Sequence, residues 1–495
     1  MGSSRASKPP AANYRGVIRN YVGGEWVASS ATTRQQVVNP ATGQALAEVP
    51  LGTAQDVEVA VAAAQAAFSS WRQTPPQQRV QPLYRLKRLM EQNHDQLART
   101  VTEEHGKTLE DARGAVQRAI ENVEVACGIP SLMMGYGLED GASRGIDEEV
   151  IRQPLGVFAA VCPFNFPAMV PFWFLPYAVA CGNSFIVKPS EQVPLTQRAV
   201  FELIAEAGFP PGVLNLVNGA REVVDALLDH PLIKGVSFVG STPVARYVYR
   251  RAAENGKRVQ AQGGAKNVLV LLPDAVLEKT VPNVMGASFG SAGQRCLAGS
   301  LAVTVADKGG RAASAIAEAA RALRVGNGFE AGVDVGPVIS DQAQERILAA
   351  IQRGVDEGAR LIVDGRGAAE SRAGFFVGPT VFDQVRPDMS LAQQEIFGPV
   401  LGIVAVDTVD QALEIIERLP FGNAASIFTQ DGKAAREFHY RAPVGNVGIN
   451  VGVAAPMAYF PFSGWKDSFF GTLHGQGRDA IDFFTDRKVV ITRWF

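Results

Sequence analysis

Apolar positions recur at three- and four-residue spacing in two early stretches, Val57–Trp71 and Asp111–Cys127, and predict amphipathic helices. In the second, Ala112, Ala115, Val116, Ala119, Ile120 and Val123 share one face. From about Val150 the pattern changes. Short apolar runs (Val157–Val161, Ser184–Val187, Val213–Val217, Gly235–Val239) alternate with helical stretches such as Gln197–Ala207 and Val223–Leu228. Such alternation predicts a parallel sheet with helices on both faces. A second series begins near Val268, with strands at Val268–Leu272, Leu301–Val305 and Leu361–Val363 and helices at Ala312–Leu323 and Gln342–Glu357. It reads as another α/β domain. The tail, Phe460–Phe495, ends in the alternating run Lys488–Phe495, a strand that needs a partner edge, which another subunit would offer.

Composition narrows the class. A chain of 495 residues suggests roughly three domains. With 47 basic and 49 acidic residues, a net charge of −2 and no basic block, nothing points to nucleic acid. The stretch Met1–Asn20 is polar and lacks the apolar run of a secretory signal. The most apolar run, Pro171–Cys181, is far shorter than a membrane span, and Pro176 interrupts it. Cys127, Cys162, Cys181 and Cys296 are far apart and the five histidines are scattered, so neither a disulfide framework nor a metal site is expected. A soluble protein of a reducing compartment, the cytoplasm, fits these features.

Candidate chemistry centres on Cys296, in Gly290-Ser-Ala-Gly-Gln-Arg-Cys296. The small residues before it let a ligand approach the backbone closely, and Arg295 beside it is placed to favour thiolate. A free cysteine is more often an inert core residue, so the neighbouring motifs decide. In Cys162-Pro-Phe-Asn165-Phe-Pro167 an apolar strand ends in a loop carrying an amide donor, suited to an oxyanion hole or simply to a turn. Ser184-Phe-Ile-Val-Lys188-Pro-Ser-Glu191 is another strand stopping at a polar tetrapeptide, and such carboxyl ends are where α/β sheets bind ligands. Phe238-Val-Gly240-Ser241-Thr242-Pro243 runs from strand into helix, with Ser241 or Thr242 as cap and amides free for a pyrophosphate. A cysteine hydrolase or acyltransferase would want a histidine partner, and none lies near Cys296 in sequence.

These motifs, with Tyr21-Val-Gly-Gly-Glu-Trp26, Asn39-Pro-Ala-Thr-Gly43 and Glu395-Ile-Phe-Gly-Pro399, resemble the aldehyde dehydrogenase superfamily along nearly the whole chain. The resemblance implies a Rossmann-type NAD-binding domain (15–127 and 149–256), an α/β catalytic domain carrying Cys296 (257–460) and a small oligomerisation β-arm (128–148 and 461–495). It implies that Cys296 attacks the aldehyde, that Asn165 and the Cys296 N–H hold the oxyanion, and that Phe164 lines the substrate side. Lys188 and Glu191 would bind the adenine ribose, Gly240 and Ser241 the pyrophosphate, and Glu395 and Phe397 the nicotinamide end. A carboxylate at Glu191 favours NAD over NADP. Self-association as a dimer or tetramer is expected on the same grounds.

The pattern departs at Gln262, which stands where hydrolytic members carry a glutamate, and at Ala245, where many relatives have glycine. An amide cannot take a proton from water, so the usual base for thioester hydrolysis is missing. Both departures, with Gly264-Ala-Lys-Asn267 and Phe462-Ser-Gly-Trp465, resemble the methylmalonate-semialdehyde dehydrogenases, which use coenzyme A as acyl acceptor and release carbon dioxide. Arg118 and Arg295 match the arginines expected to clamp the substrate carboxylate. The alternative is an NAD-dependent enzyme of the same family that releases a free acid.

Overall fold

The computed structural model describes residues 16–370 and 373–495. Its central strands follow from uninterrupted apolar runs. Val157–Val161, Ser184–Lys188, Asn267–Leu271 and Ala424–Phe428 are buried at every position, as strands covered on both faces must be.

An eight-stranded sheet runs in the order Glu25–Val27, Asn20–Val22, Leu214–Leu216, Ser184–Lys188, Val157–Val161, Ile233–Val239, Arg258–Gln262 and Phe469–Gly471. The five middle strands are parallel, and the strands added at either end are antiparallel. Alternate side chains feed two cores. Phe158, Ala160, Phe185 and Val187 join one, whereas Val157, Ala159, Val161 and Ile186 join the other. The helix Leu109–Cys127 packs in the first core and Ala54–Trp71 largely in the second.

A seven-stranded sheet carries the second domain, in the order Arg360–Val363, Thr380–Asp383, Val400–Val406, Gly299–Val305, Asn267–Leu271, Ala424–Phe428 and Asn446–Ile449. All its pairs are parallel except the first. Residues 263–266 alone join the last parallel strand of the first sheet to the centre of the second. That short connection brings the two domains together at one cleft.

The tail strand, Thr485–Arg493, corrects one expectation. Its partner edge is the chain's own Ile146–Pro154, paired residue by residue from Thr485–Pro154 to Arg493–Ile146. Tyr136–Leu138 completes this three-stranded antiparallel sheet, and the tail strand forms its outer edge. Among the described residues no helix is long and apolar enough to cross a membrane.

Candidate active site

The carboxyl ends of the parallel strands open onto a cleft of about 630 Å³ lined by Phe164, Asn165, Lys188, Glu191, Gly240, Ser241, Glu395 and Phe397. Cys296 lines it too and also lines a second cavity of about 260 Å³, with Arg118, Arg295, Phe166, Met169, Trp173 and Phe462. One thiol therefore faces two spaces. Phe164, expected on the substrate side, lines the larger cleft instead, edge-on to Phe397 at 5.8 Å and stacked on His105 at 5.9 Å. Phe166, two residues on, takes the place beside the smaller cavity.

The backbone around Cys296 is tightly held. Asn267 and Asn423 donate to its carbonyl oxygen at 2.9 and 2.8 Å. The Asn165 Nδ2 donates to the Gln294 carbonyl at 3.1 Å, which directs that amide toward the Cys296 segment. Burial pushes the Cys296 thiol up to about 12, and the Glu395 carboxylate adds to the rise. The N–H groups of Cys296 and Leu297, and more weakly Arg295, pull the other way. The free thiol is therefore protonated at neutral pH. Arg295 does less for the thiolate than its adjacency suggests, because its guanidinium is bound to the Asp111 carboxylate at 2.5 Å and to the Gly286 carbonyl at 3.2 Å.

The dinucleotide fits the larger cleft on three observations. Lys188 Nζ and Glu191 Oε2 sit 2.9 Å apart at its rim, a donor and an acceptor suited to vicinal hydroxyls. A Cβ at Gly264 would come within 2.3 Å of Glu395 Oε2, so a larger residue there would displace this carboxylate. The helix Thr242–Glu254 starts at the cleft, with Pro243 in its first turn. Ser241 stands at its N-cap position, as expected, but its side chain makes no capping bond, and Thr242 Oγ1 accepts from the Gly264 N–H at 2.8 Å. The first-turn amides thus stay available to an anion. Glu395 accepts from the Ala265 N–H at 2.8 Å, and burial lifts its carboxyl to about 7.

Gln262, the departure noted in the sequence, is buried. Its Nε2 donates at 3.4 Å to the carbonyl of Phe462, a cavity-lining residue, and its Oε1 has no hydrogen-bond partner. Sequence reasoning missed other groups. Lys107 is fully buried, donates to the Asn165 carbonyl at 2.7 Å and lies 3.8 Å from the Phe166 ring centroid. Burial lowers its amine to about 7. Asp111 binds Arg295 and the Ser291 N–H, and Arg346 joins the cleft lining near Glu395. A usable signal existed only for Asp111: Thr108-Leu-Glu-Asp111 has the spacing of a helix cap, and Thr108 Oγ1 does accept from the Asp111 N–H at 3.2 Å.

Residues 26–490 match the model of the aldehyde dehydrogenase family. Malonate-semialdehyde dehydrogenase 3 of Geobacillus kaustophilus is 50% identical over 478 residues, spanning 96% of this chain and 99% of the relative. The crystal structure of methylmalonate-semialdehyde dehydrogenase from Oceanimonas doudoroffii superposes with a TM-score of 0.95 at 47% identity, covering 97% of this chain and 99% of that one. A Sinorhizobium meliloti protein assigned to the same activity and solved with NAD gives 0.95 at 43% identity, covering 98% and 99%.

Proposed function

The chain belongs to the aldehyde dehydrogenase family, and on that premise we propose that it oxidises malonate or methylmalonate semialdehyde and passes the acyl group to coenzyme A, with loss of carbon dioxide. It is an NAD-dependent aldehyde dehydrogenase. The observation that carries the finer reading is Gln262, an amide where hydrolysis needs a base.

Arg118 and Arg295, on the wall of the smaller cavity, hold the substrate carboxylate. The Cys296 sulfur, its proton released to solvent water, adds to the aldehyde carbon, and the alkoxide so formed accepts from Asn165 Nδ2 and the Cys296 N–H. NAD, when bound in the larger cleft, supplies the hydride acceptor. Loss of hydride from the tetrahedral carbon leaves a thioester on Cys296. A carboxylate beta to that carbonyl departs as carbon dioxide, because the electron pair it leaves is delocalised as an enolate, which then takes a proton. Coenzyme A attacks as thiolate, its sulfur bonding to the acyl carbon while Cys296 leaves. A thiol ionises near neutral pH without a strong base and water does not, so the missing carboxylate biases the acceptor toward sulfur.

Two further points belong to this reading. Self-association as a dimer or tetramer is supported by the tail strand, an outer edge on which Val489 and Ile491 are exposed. The four free cysteines support a reducing, cytoplasmic setting.

The test is product identification by mass spectrometry after incubation with malonate semialdehyde and NAD, with and without coenzyme A. Acetyl-CoA should form only when the thiol is present, and Cys296→Ala should form none. Brisk NADH formation without coenzyme A, with a free acid accumulating, favours the non-acylating alternative and ends the acyl-transfer claim.

A further inference from the structure

The backbone leading into Cys296 is in an unfavourable conformation. Ser291 (φ 52, ψ 33) and Ala292 (φ 53, ψ 35) are both left-handed, and Gly293 follows at φ +69. Single non-glycine residues visit this region at a cost, and consecutive ones persist only where neighbours fix them. The turn runs hard against the adjacent loop, since a Cβ at Gly293 would meet the Gly398 carbonyl at 2.1 Å and only glycine fits there. The fixing group comes from the opposite domain. Asp111 Oδ2 accepts from the Ser291 N–H at 3.0 Å and from its hydroxyl at 3.2 Å, while Oδ1 accepts from Arg295 Nη2 at 2.5 Å. One carboxylate thus spans the turn and the guanidinium that flank the route to the nucleophile. Nearby Arg295 and Lys107, together with the Ser291 donors, hold this carboxylate ionised despite its burial.

We propose that Asp111 is a positioning residue for two groups of the site, keeping the Ser291–Ala292 turn left-handed so that the Cys296 sulfur meets the oxyanion donors in register, and holding the Arg295 guanidinium in an ion pair that competes with the substrate carboxylate. It touches no reacting atom. The inference rests on Cys296 being the nucleophile and is independent of which acceptor takes the acyl group.

The arrangement makes separable demands on chemistry and reactivity. Alkylation of a thiol needs only access and thiolate, whereas aldehyde oxidation needs the sulfur, the Asn165 amide and the hydride acceptor aligned. Removing Asp111 also removes a negative charge near the thiol and frees Arg295, so reactivity toward a neutral alkylating agent should not fall.

The experiment compares Asp111→Ala and Asp111→Asn with the parent enzyme, using propanal as neutral substrate, malonate semialdehyde as anionic substrate, and iodoacetamide as thiol probe. Asp111→Ala should lose about 10- to 100-fold in kcat for propanal with no decrease in alkylation rate. Asp111→Asn, whose amide oxygen still accepts from Ser291, should recover at least half of that loss on a logarithmic scale. Its KM for malonate semialdehyde relative to propanal should fall, because a like charge beside the anionic substrate is gone. The proposal is overturned if Asp111→Ala keeps a propanal kcat within twofold of the parent, or if kcat and alkylation fall together as in general loosening. Should Asp111→Ala fail to fold, Asp111→Asn carries the test alone, and an unchanged KM ratio overturns the proposal. Absence of acetyl-CoA formation would leave the propanal and iodoacetamide results standing, so failure of the acyl-transfer reading is seen separately.

Discussion

Replacing Gln262 by glutamate restores the base that hydrolytic relatives carry, and the structure says how the new side chain should behave. The Gln262 amide is anchored by a long donation of 3.4 Å to the Phe462 carbonyl, and its oxygen is unpartnered. A carboxylate cannot donate to that carbonyl and is repelled by it, so Gln262→Glu breaks that contact within the same buried seat beside the cavity. Its acidity can be gauged from buried carboxyls in the same chain: Glu395 is raised to about 7 and Glu104 to about 8 by burial. A carboxyl titrating there is well matched to general-base work near neutral pH. Such catalysis contributes about 100- to 10,000-fold, or roughly 2.7–5.5 kcal/mol of barrier. The assay is stopped-flow NADH formation without coenzyme A. The parent should show a burst of one equivalent per active site and then near-silence. Gln262→Glu should keep the burst and raise the steady rate at least 100-fold, with a rise in rate through pH 7–8. An intact burst followed by a steady rate within threefold of the parent would refute the claim that a missing base sets the acyl acceptor.

Other outcomes are equally specific. Cys296→Ala should reduce NADH formation to background in a spectrophotometric assay. Arg118→Ala should raise the KM for malonate semialdehyde about tenfold relative to propanal, the cost of one charge-assisted hydrogen bond; equal changes for both substrates would remove the clamp role. Lys107→Met should lower kcat about 10- to 100-fold by loosening the Asn165 loop, which is held at 2.7 Å. Because burial lowers the Lys107 amine from 10.5 to about 7, its contribution to stability is fully present above pH 10.5 and is lost as pH falls toward 7. The melting temperature of Lys107→Met should therefore gain on the parent as pH is lowered from 10.5 to 7.

Periodicity made the fold legible because the strands of a covered parallel sheet are apolar throughout and stand out from the helices between them. Val157–Val161 was placed to the residue, and the ends of Ser184–Lys188 and Gly299–Val305 shifted by one or two positions. The tail strand was recognised by its alternation, but nothing in a local pattern tells that its partner is Ile146–Pro154, more than 300 residues away in the same chain. In the site, residues within compact motifs are legible as candidates, and those acting from a distance are not. Lys107 and Asp111 look like solvated charges flanking a helix start. Their contacts appear only once that helix packs against the Asn165 loop and the Cys296 turn. Local adjacency also misled: Arg295 is next to Cys296 in sequence, yet its charge is directed at Asp111.

That pairing bears on how selective the enzyme can be. Both cationic side chains of the smaller cavity already have carboxylate partners, Arg295 with Asp111 at 2.5 Å and Arg118 with Glu121 at 3.4 Å. An unpaired buried guanidinium would penalise any neutral aldehyde by the full cost of leaving a charge desolvated, and discrimination of that kind can reach several powers of ten. Here a neutral substrate leaves both pairs intact. An anionic one gains only the difference between its own contacts and those it weakens, which for a charge-assisted hydrogen bond is about 1.5–3 kcal/mol, or roughly 10- to 100-fold. The cavity is therefore expected to prefer a carboxylated aldehyde without excluding short neutral ones. The kcat/KM ratio of malonate semialdehyde to propanal measures this directly, and a ratio above about ten thousand would mean that the Asp111 and Glu121 pairings do not persist in the working enzyme.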